Sequence, residues 1–196
     1  MTPDMGTLEA RANLVSAELD LLCLTKGVSE LDAKIAHVYE QLRSSVYRYL
    51  VLVTGNTAEA EEITQETFLQ LYRCLLDGRS VRNVRPWVFR TAHNRALNQA
   101  ASRKYVVAMD PEIWDKLAGL RRDPGLDPEQ QVLEQEELRR LQESFRSLPP
   151  LQQQSLLLRA EGFRYEQIAE VLGASVANVA QSLHRGIKRL MTDRHA

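Results

Sequence analysis

Cysteine is scarce in this sequence. Cys23 and Cys74 are the two cysteines of the 196-residue chain, no CxxC pair or Cys/His cluster is present, and the four histidines are scattered. Disulfide frameworks and metal sites both depend on closely spaced thiol or imidazole groups. We therefore predict two buried, reduced thiols, with no disulfide, no metal site and no other cofactor.

A long apolar run is also missing. A membrane-spanning helix needs about 20 consecutive apolar residues, and no segment of this chain comes close to that length. The first residues lack the basic start and apolar core of a secretory signal, because Glu9, Glu18 and Asp20 interrupt them. We expect a soluble, cytoplasmic protein with no segment inserted into the membrane.

Glycine and proline are few, and no period-two run of β-branched residues is long enough to argue for a sheet. Leu, Ala, Glu, Gln and Arg dominate, and these residues favour helix. Helical periodicity is lost after residue 104, where Asp110-Pro111 and Asp123-Pro124-Gly125 accumulate. The predicted fold is all-α, with two small helical domains joined by a flexible linker. The predicted parts are an N-terminal extension (1–28), a first domain (29–104), the linker (105–126) and a second domain (127–196).

Catalytic patterns are likewise absent. The sequence contains no glycine-rich phosphate loop and suggests no Ser/His/Asp or Cys/His order, and its acids fall on predicted helix faces. We predict that the protein is not an enzyme and has no small-molecule substrate.

Charge is balanced overall but divided locally. The formal net charge is −1, so any contact with nucleic acid must come from a local patch. The acidic half of segment 59–104 contains one base, Arg73, among the acids Glu59, Glu61, Glu62, Glu66 and Asp77. The other half has no acid, places Trp87 and Phe89 within its basic run, and contains Arg79, Arg82, Arg85, Arg90, Arg95, Arg103 and Lys104. Acids on a helix suit a basic protein partner, whereas bases interleaved with aromatics suit nucleic acid.

A helix is predicted from Trp87 to Arg103, with Arg90, Asn94 and Asn98 four residues apart on one stripe. An arginine and two amides in this arrangement can contact a phosphate and the Watson–Crick edge of an unpaired base. Each captured base is worth about 1–3 kcal/mol, similar to a lost duplex stacking step. Such contacts can hold flipped bases but cannot open a long stretch of duplex, which indicates a larger partner.

The last segment, Tyr165 to Leu190, has the spacing of a helix-turn-helix. Ala169 is small where the second helix must cross, Gly173 permits the turn, and Val179 packs back. Ser175 is placed to cap the second helix, and Arg185, Lys188 and Arg189 follow as candidate phosphate contacts. This pattern predicts that the second helix enters the major groove.

Five strings together resemble the extracytoplasmic-function (ECF) sigma factors, the promoter-specificity subunits of bacterial RNA polymerase. The strings are LRSSVYRYL, AEEITQETFLQLYR, RPWVFRTAHNRALNQ, LPPLQQQSLLLRAEGFRYEQIAEVLG and LHRGIKRL. The resemblance covers about residues 30 to 104 and 127 to 191, in the family's order and with a variable linker between them.

The resemblance implies three binding surfaces. Core RNA polymerase, through the clamp helices of its β′ subunit, would contact Glu62, Gln65, Glu66 and Phe68. The non-template strand of the −10 element would contact Arg79, Arg82, Arg85, Trp87, Arg90, Asn94 and Asn98, with Asn94 helping to hold a flipped base. The −35 element would contact Ser175, Asn178, Gln181, His184, Arg185, Lys188 and Arg189. The β flap of the polymerase and an anti-sigma factor that covers these surfaces are the other implied partners.

The chain departs from the family pattern in the recognition helix. Ala180 and Ser182 stand where the family often has cations, although Gln181 and Arg185 keep base readout possible. Losing two cations should weaken the phosphate contribution and flatten its salt dependence.

Two other functions remain open from the sequence. One is an operator-binding helix-turn-helix regulator, which would leave the Gln65-Glu66 helix without a role. The other is a sigma-like module that binds an anti-sigma protein without initiating transcription, as the substitutions at Ala180 and Ser182 would allow.

Overall fold

A computed structural model describes residues 28–102 and 128–194. These residues form helices joined by short turns, with no strand among them, so the all-α prediction is confirmed. The helices are α1 (Val28–Thr54), α2 (Thr57–Leu76), α3 (Val84–Ser102), α4 (Pro128–Arg146), α5 (Pro150–Ala160), α6 (Tyr165–Leu172) and α7 (Val176–Arg194). The predicted linker and nearly all of the predicted N-terminal extension lie outside the described residues, so the proposed domain boundaries stay predictions.

Helices α1, α2 and α3 pack on one another around a shared apolar core. Val46, Leu50, Leu71 and Val88 are completely buried there, which is the expected fate of an apolar stripe at helical spacing. Asn56 caps α2 as its sequence position suggests, because its Oδ1 accepts a hydrogen bond from the Glu59 N–H at 3.0 Å. The cap fixes where α2 begins and therefore which side chains its outer face presents.

Helix α3 begins earlier than the sequence indicated. The predicted start at Trp87 was wrong by three residues, because the helix begins at Val84. Pro86 therefore lies inside the first turn, where a missing N–H costs no intrahelical hydrogen bond. The earlier start places Arg85 on the helix rather than in the preceding loop.

Helices α4 to α7 form the C-terminal region. Helix α5 begins at Pro150, the second of two consecutive prolines. Gly173 ends α6 in the left-handed conformation, with φ of 62°, which suits a residue without a Cβ atom. Ser175 Oγ accepts a hydrogen bond from the Asn178 N–H at 3.2 Å at the start of α7. Val179 is buried against the preceding helices, so the predicted helix-turn-helix is confirmed.

The two regions are packed against each other. One cluster of buried apolar side chains runs through both, with α3 against α6 and a smaller contact between α1 and α5. The rings of Phe89 and Phe163 meet edge to face across this boundary, with centroids 4.8 Å apart. The packing brings the N-terminal half of α3 under the C-terminal region.

Candidate nucleic-acid and protein interfaces

The outer face of α2 carries three of the four residues assigned to protein binding. Glu62, Gln65 and Glu66 are exposed and lie one helical turn apart on the same side. Leu69 and Leu76 continue this stripe and are 51 % and 47 % exposed. Sequence reasoning missed the two leucines, although Leu69 falls outside the core stripe of Ile63, Thr67 and Leu71. An acid-amide face with apolar neighbours is suited to bind a basic protein surface that has an apolar centre.

Phe68 lies on the opposite side of α2, in the core. It is 4 % exposed and packs edge to face on Tyr39, with ring centroids 5.0 Å apart. Its side chain therefore supports the outer face from beneath and does not lie on that face.

Arg95 of α3 connects the outer face of α2 to the next helix. Its guanidinium Nη1 donates a hydrogen bond to Glu66 Oε2, and Nε and Nη2 donate to Gln70 Oε1 at 3.2 and 2.9 Å. The sequence placed Arg95 in the basic run but did not single it out. Its contacts hold Glu66 in one place, at the edge of a shallow polar cleft that also includes Asn98 and Gln99.

The basic-aromatic segment is only partly accessible. Arg79 and Arg82, in the loop before α3, and Asn94 and Asn98, near the middle of α3, are exposed. Trp87 is half-buried against the core. The two asparagines are four residues apart, so they lie on one face of α3, as the sequence predicted.

Arg85 is buried, in contrast to these residues. It is 7 % exposed, donates a hydrogen bond to the backbone carbonyl of Glu161, and has its guanidinium carbon 4.2 Å from the ring centre of Phe163. Burial lowers the pKa of Arg85, and the nearby Glu161 carboxylate opposes that effect. Arg90 is half-buried and pairs with Glu170, with Nη1 and Oε1 3.1 Å apart. Both arginines contact the C-terminal region.

A buried polar pair fixes α3 on α1. The hydroxyl of Tyr49 and Nδ1 of His93 are 2.8 Å apart. Burial raises the pKa of Tyr49 far above its usual value and lowers the pKa of His93. The tyrosine therefore keeps its proton and the imidazole is neutral, and the two groups form one buried hydrogen bond. This bond fixes the turn of α3 that carries Asn94.

Helix α7 and the preceding Ser175 expose to solvent all the residues assigned to the −35 element. The exposed side chains are Ser175, Asn178, Gln181, His184, Arg185, Lys188 and Arg189. Ser182, in contrast, is 8 % exposed and lies on the inner side with Leu183, and Ala180 is half-buried. Ser182 therefore contributes to the packed side of α7, and the expected weakening of the phosphate contribution stays a prediction.

A shallow apolar groove runs along the later turns of α7. Ile187 and Met191 are 45 % and 60 % exposed and line it together with His184, Lys188 and Thr192. Sequence reasoning missed this groove, although Ile187 and Met191 continue the four-residue spacing of Val179 and Leu183.

Across 28–102 and 128–194, no three His, Cys, Asp or Glu side chains are grouped so as to hold a metal ion. Within the same ranges, no helix combines the length and apolar character needed to cross a bilayer. Cys74 is half-buried with a free thiol, and Cys23 lies outside the described residues.

Comparison with known proteins identifies both regions. Residues 38–105 match the family model of Sigma-70 region 2, and residues 138–190 match that of Sigma-70, region 4. The ECF RNA polymerase sigma factor SigK of Mycolicibacterium vanbaalenii is 30 % identical over 185 residues, which cover 92 % of this chain and 91 % of SigK. The RNA polymerase sigma factor YlaC of Bacillus subtilis is 30 % identical over 162 residues, covering 81 % and 92 % of the two chains.

Two solved structures share the fold. CnrH, in complex with the cytosolic domain of CnrY, is 16 % identical with a TM-score of 0.57, covering 95 % of this chain and 94 % of CnrH. The sigma factor RpoE of Bartonella quintana, in complex with the anti-sigma factor NepR, is 18 % identical with a TM-score of 0.53, covering 80 % and 96 %. On the strength of the two region matches and the SigK relationship, the chain belongs to the ECF group of the sigma-70 family of RNA polymerase sigma factors.

Proposed function

We propose that this sigma factor binds core RNA polymerase through the outer face of α2 and holds the non-template −10 strand on α3. Glu62, Gln65 and Glu66 contact the β′ clamp helices, with Leu69 as an apolar neighbour. Asn94 and Asn98 contact unpaired bases, and Arg79 and Arg82 contact phosphates of the same strand. The chain supplies promoter choice, works in the cytoplasm and catalyses no reaction of its own.

One observation carries this proposal. Glu62 and Glu66, on the polymerase side, line the same cleft as Asn98, on the DNA side, and Arg95 connects the two helices. A sigma factor must present the opened strand beside the enzyme that opens it. Two adjacent surfaces of different chemistry on one rigid helical unit meet that requirement.

The C-terminal region reads the −35 element in this proposal. Gln181 and Arg185 are exposed on α7 and have the chemistry to pair with adenine and guanine edges in the major groove. Ser175, Asn178, His184, Lys188 and Arg189 position the helix on the backbone. The apolar groove of Ile187 and Met191 is the surface offered to the β flap.

An anti-sigma factor is the proposed regulator. The solved complex of RpoE with the anti-sigma factor NepR supports this, because RpoE shares the fold of this chain. Its expected binding sites are the same three surfaces, since covering any of them prevents initiation.

Run-off transcription from a promoter library tests the proposal. Core polymerase with the chain should start at a defined set of promoters, and core polymerase alone should not. Unchanged start-site choice on adding the chain would contradict the sigma function and favour the alternative of a sigma-like module that does not initiate.

Asn94→Ala separates strand capture from polymerase binding. Losing the contacts to one captured base should slow open-complex formation about tenfold, equivalent to about 1.4 kcal/mol within the range for a single base. Binding to core polymerase should stay at the wild-type level. Gln41→Ala is the matched control, because it removes an exposed amide of α1 away from these surfaces. Normal opening by Asn94→Ala would remove Asn94 from the site.

A further inference from the structure

Arg95 holds the side-chain amide of Gln70 in one orientation. Its Nε and Nη2 both donate hydrogen bonds to Gln70 Oε1, at 3.2 and 2.9 Å, and its Nη1 donates to Glu66. A guanidinium has donors and no acceptor, so only the oxygen of the Gln70 amide can face it. The side-chain oxygen of Gln70 is therefore committed to Arg95, and the NH2 group is directed away from the guanidinium.

The NH2 group of Gln70 is available to a partner. The Gln70 side chain is half-buried. Within the part of the chain that the structure describes, no hydrogen bond occupies Gln70 Nε2, and this nitrogen is not sealed from solvent. The amide therefore has its acceptor satisfied inside the protein and its donors still open to a partner.

This donor belongs to the outer face of α2. Gln70 is one turn beyond Glu66 and two turns beyond Glu62, so the three side chains follow one another along the helix. Both glutamates are exposed, as is the neighbouring Leu69. The two carboxylates offer acceptors, whereas Gln70 offers only donors. The face therefore changes its hydrogen-bonding polarity from acceptor to donor along its length.

We infer that Gln70 is a further docking residue, which donates a hydrogen bond from Nε2 to an acceptor oxygen of core polymerase, and that Arg95 is the positioning residue that fixes this polarity. This inference rests on the proposed function and specifies the chemistry of the docking partner. The polymerase surface must offer a cation opposite Glu66 and an oxygen acceptor, rather than a second cation, opposite Gln70.

A fixed amide discriminates between partner surfaces more strongly than a free one. A free glutamine can turn to offer either its oxygen or its NH2 group, so it accommodates a donor or an acceptor. Arg95 removes this choice before binding, which lowers the ordering cost for the correct partner. A partner with a donor at this point would leave donors facing one another, and unpaired buried donors destabilise a complex.

Gln70→Glu tests the inference with a side chain of nearly the same size. A carboxylate still accepts from Arg95, but it has no N–H to donate. The variant should bind core polymerase about tenfold more weakly, the size expected when a hydrogen bond is lost and one acceptor faces another. The urea midpoint of unfolding should stay at or above that of the wild type, because an ion pair with Arg95 replaces a neutral contact. Titration against labelled core polymerase measures the affinity.

Added negative charge by itself predicts the opposite change, which is tighter binding to a basic surface. Tighter binding by Gln70→Glu would show that a cation faces position 70, and equal binding would place position 70 outside the contact. Either result would overturn the inference. Gln41→Glu makes the same chemical change at an exposed amide of α1 and should bind like the wild type.

Failure of the inference is distinguishable from failure of the proposed function. If the variant with both Gln65→Ala and Glu66→Ala keeps wild-type affinity for core polymerase, the docking role of α2 fails. If that double variant binds weakly and Gln70→Glu does not, the docking role stands and only the assignment of Gln70 is wrong.

Arg95→Met tests the positioning role, because methionine has no donor for Gln70. The freed amide should present its donors for only about half of the time, so Gln70→Glu should weaken binding about fivefold in this background, against about tenfold in the wild type. Comparison within each background cancels the change at Glu66 that Arg95→Met also makes.

Nuclear magnetic resonance relaxation of the Gln70 NH2 group provides a second readout of the positioning role. The signal is assigned by its loss in Gln70→Glu, and it should report a rigid amide in the wild type and a mobile amide in Arg95→Met. An equal loss of affinity in both backgrounds, or an amide as rigid without Arg95 as with it, would overturn the positioning role.

Discussion

The two predicted DNA-reading helices differ in what covers them. All seven residues assigned to the −35 element, which are Ser175 before α7 and six residues on α7, are exposed. In contrast, Arg85 on α3 is buried, and Arg90 pairs with an acid of the other region. Both helices have the cations and amides that suit DNA. The difference shows that chemical suitability and accessibility are independent properties of a surface.

The cause of the difference lies in the packing. Helix α7 packs on α4, α5 and α6 along one side and leaves the other side to solvent. Helix α3 packs on α1 and α2 along one side and on α6 along another. A helix in contact on two sides keeps only part of its circumference for a ligand, so α3 has less free surface than α7.

The largest expected effect tests whether the two regions are energetically connected. Phe163→Ala removes a completely buried ring at their boundary and should lower the free energy of unfolding by about 3–5 kcal/mol. In a Trp114→Phe background, Trp87 fluorescence reports unfolding of the N-terminal region. The urea unfolding transition measured by this fluorescence should shift to lower urea concentration, together with the transition measured by circular dichroism.

Phe145→Ala is the control for that experiment, because Phe145 is a buried ring on α4 of the C-terminal region. It should destabilise mainly that region. If Phe163→Ala leaves the Trp87 transition unchanged, the regions are independent and the contrast between α3 and α7 loses its physical basis.

A smaller effect, on binding to core polymerase, is expected from substitutions on the outer face of α2, which no other described helix covers. Gln65→Ala with Glu66→Ala should weaken binding to core polymerase by about 2 kcal/mol, roughly 30-fold, the size typical of an interface hot spot. Stability should change little, because exposed ion pairs such as Glu66–Arg95 contribute about 0–1 kcal/mol. Glu40→Ala with Gln41→Ala makes the same chemical change on the exposed face of α1 and should leave binding intact. Equal binding by both double variants would exclude the α2 face as the docking surface.

The next effect is on selection of the −35 element, and it distinguishes two positions that lie one turn apart on α7. Arg185→Ala should reduce selection of the −35 element about fivefold, near 1 kcal/mol, because it removes an exposed base-reading side chain. Ser182→Ala should not alter selection, because the Ser182 side chain is buried against the rest of the C-terminal region. Competition between promoters that differ only in the −35 element measures both, and equal losses would show that α7 is oriented differently on DNA.

The smallest expected effect is on the pH dependence of folding stability, and it arises from a buried histidine of the N-terminal region. Burial lowers the pKa of His93 in the folded state, so the unfolded chain takes up its proton first as the pH falls. The contribution of His93 to stability is therefore complete above the ordinary histidine pKa of about 6.5 and is lost as the pH falls from there through the lower folded pKa. His93→Gln keeps an acceptor for the Tyr49 hydroxyl and should flatten this dependence in urea titrations at several pH values. If the free energy of unfolding of the variant depends on pH as steeply as that of the wild type, other titrating groups determine the dependence.

Prediction from sequence succeeded where the signal is local. The Gly173 turn follows from the conformational freedom of one residue, and the Ser175 cap follows from the hydrogen-bonding capacity of another. The start of α3 was missed by three residues, because nothing in the residues themselves excludes either a loop or a helical turn between Val84 and Pro86.

Side-chain exposure was predicted less well than element type. Phe68 was placed on the docking surface because of its neighbours in the sequence, yet it fills the core against Tyr39. The exposure of Leu69 was not predicted, since a small rotation of a helix about its axis changes which of two adjacent side chains is buried. The role of Arg95 was invisible because Gln70 and Glu66 lie more than twenty positions away.

The sequence by itself determined the helical class, the helix-turn-helix and the family, because these depend on the order and spacing of residue types along the chain. Tertiary structure alone decided that Arg85 is enclosed by Phe163 and the Glu161 carbonyl, and that α3 shares its face with the C-terminal region. The physical reason is that burial of an arginine requires an acceptor and an apolar cover from a distant segment. A pattern of neighbours cannot specify which segment supplies them.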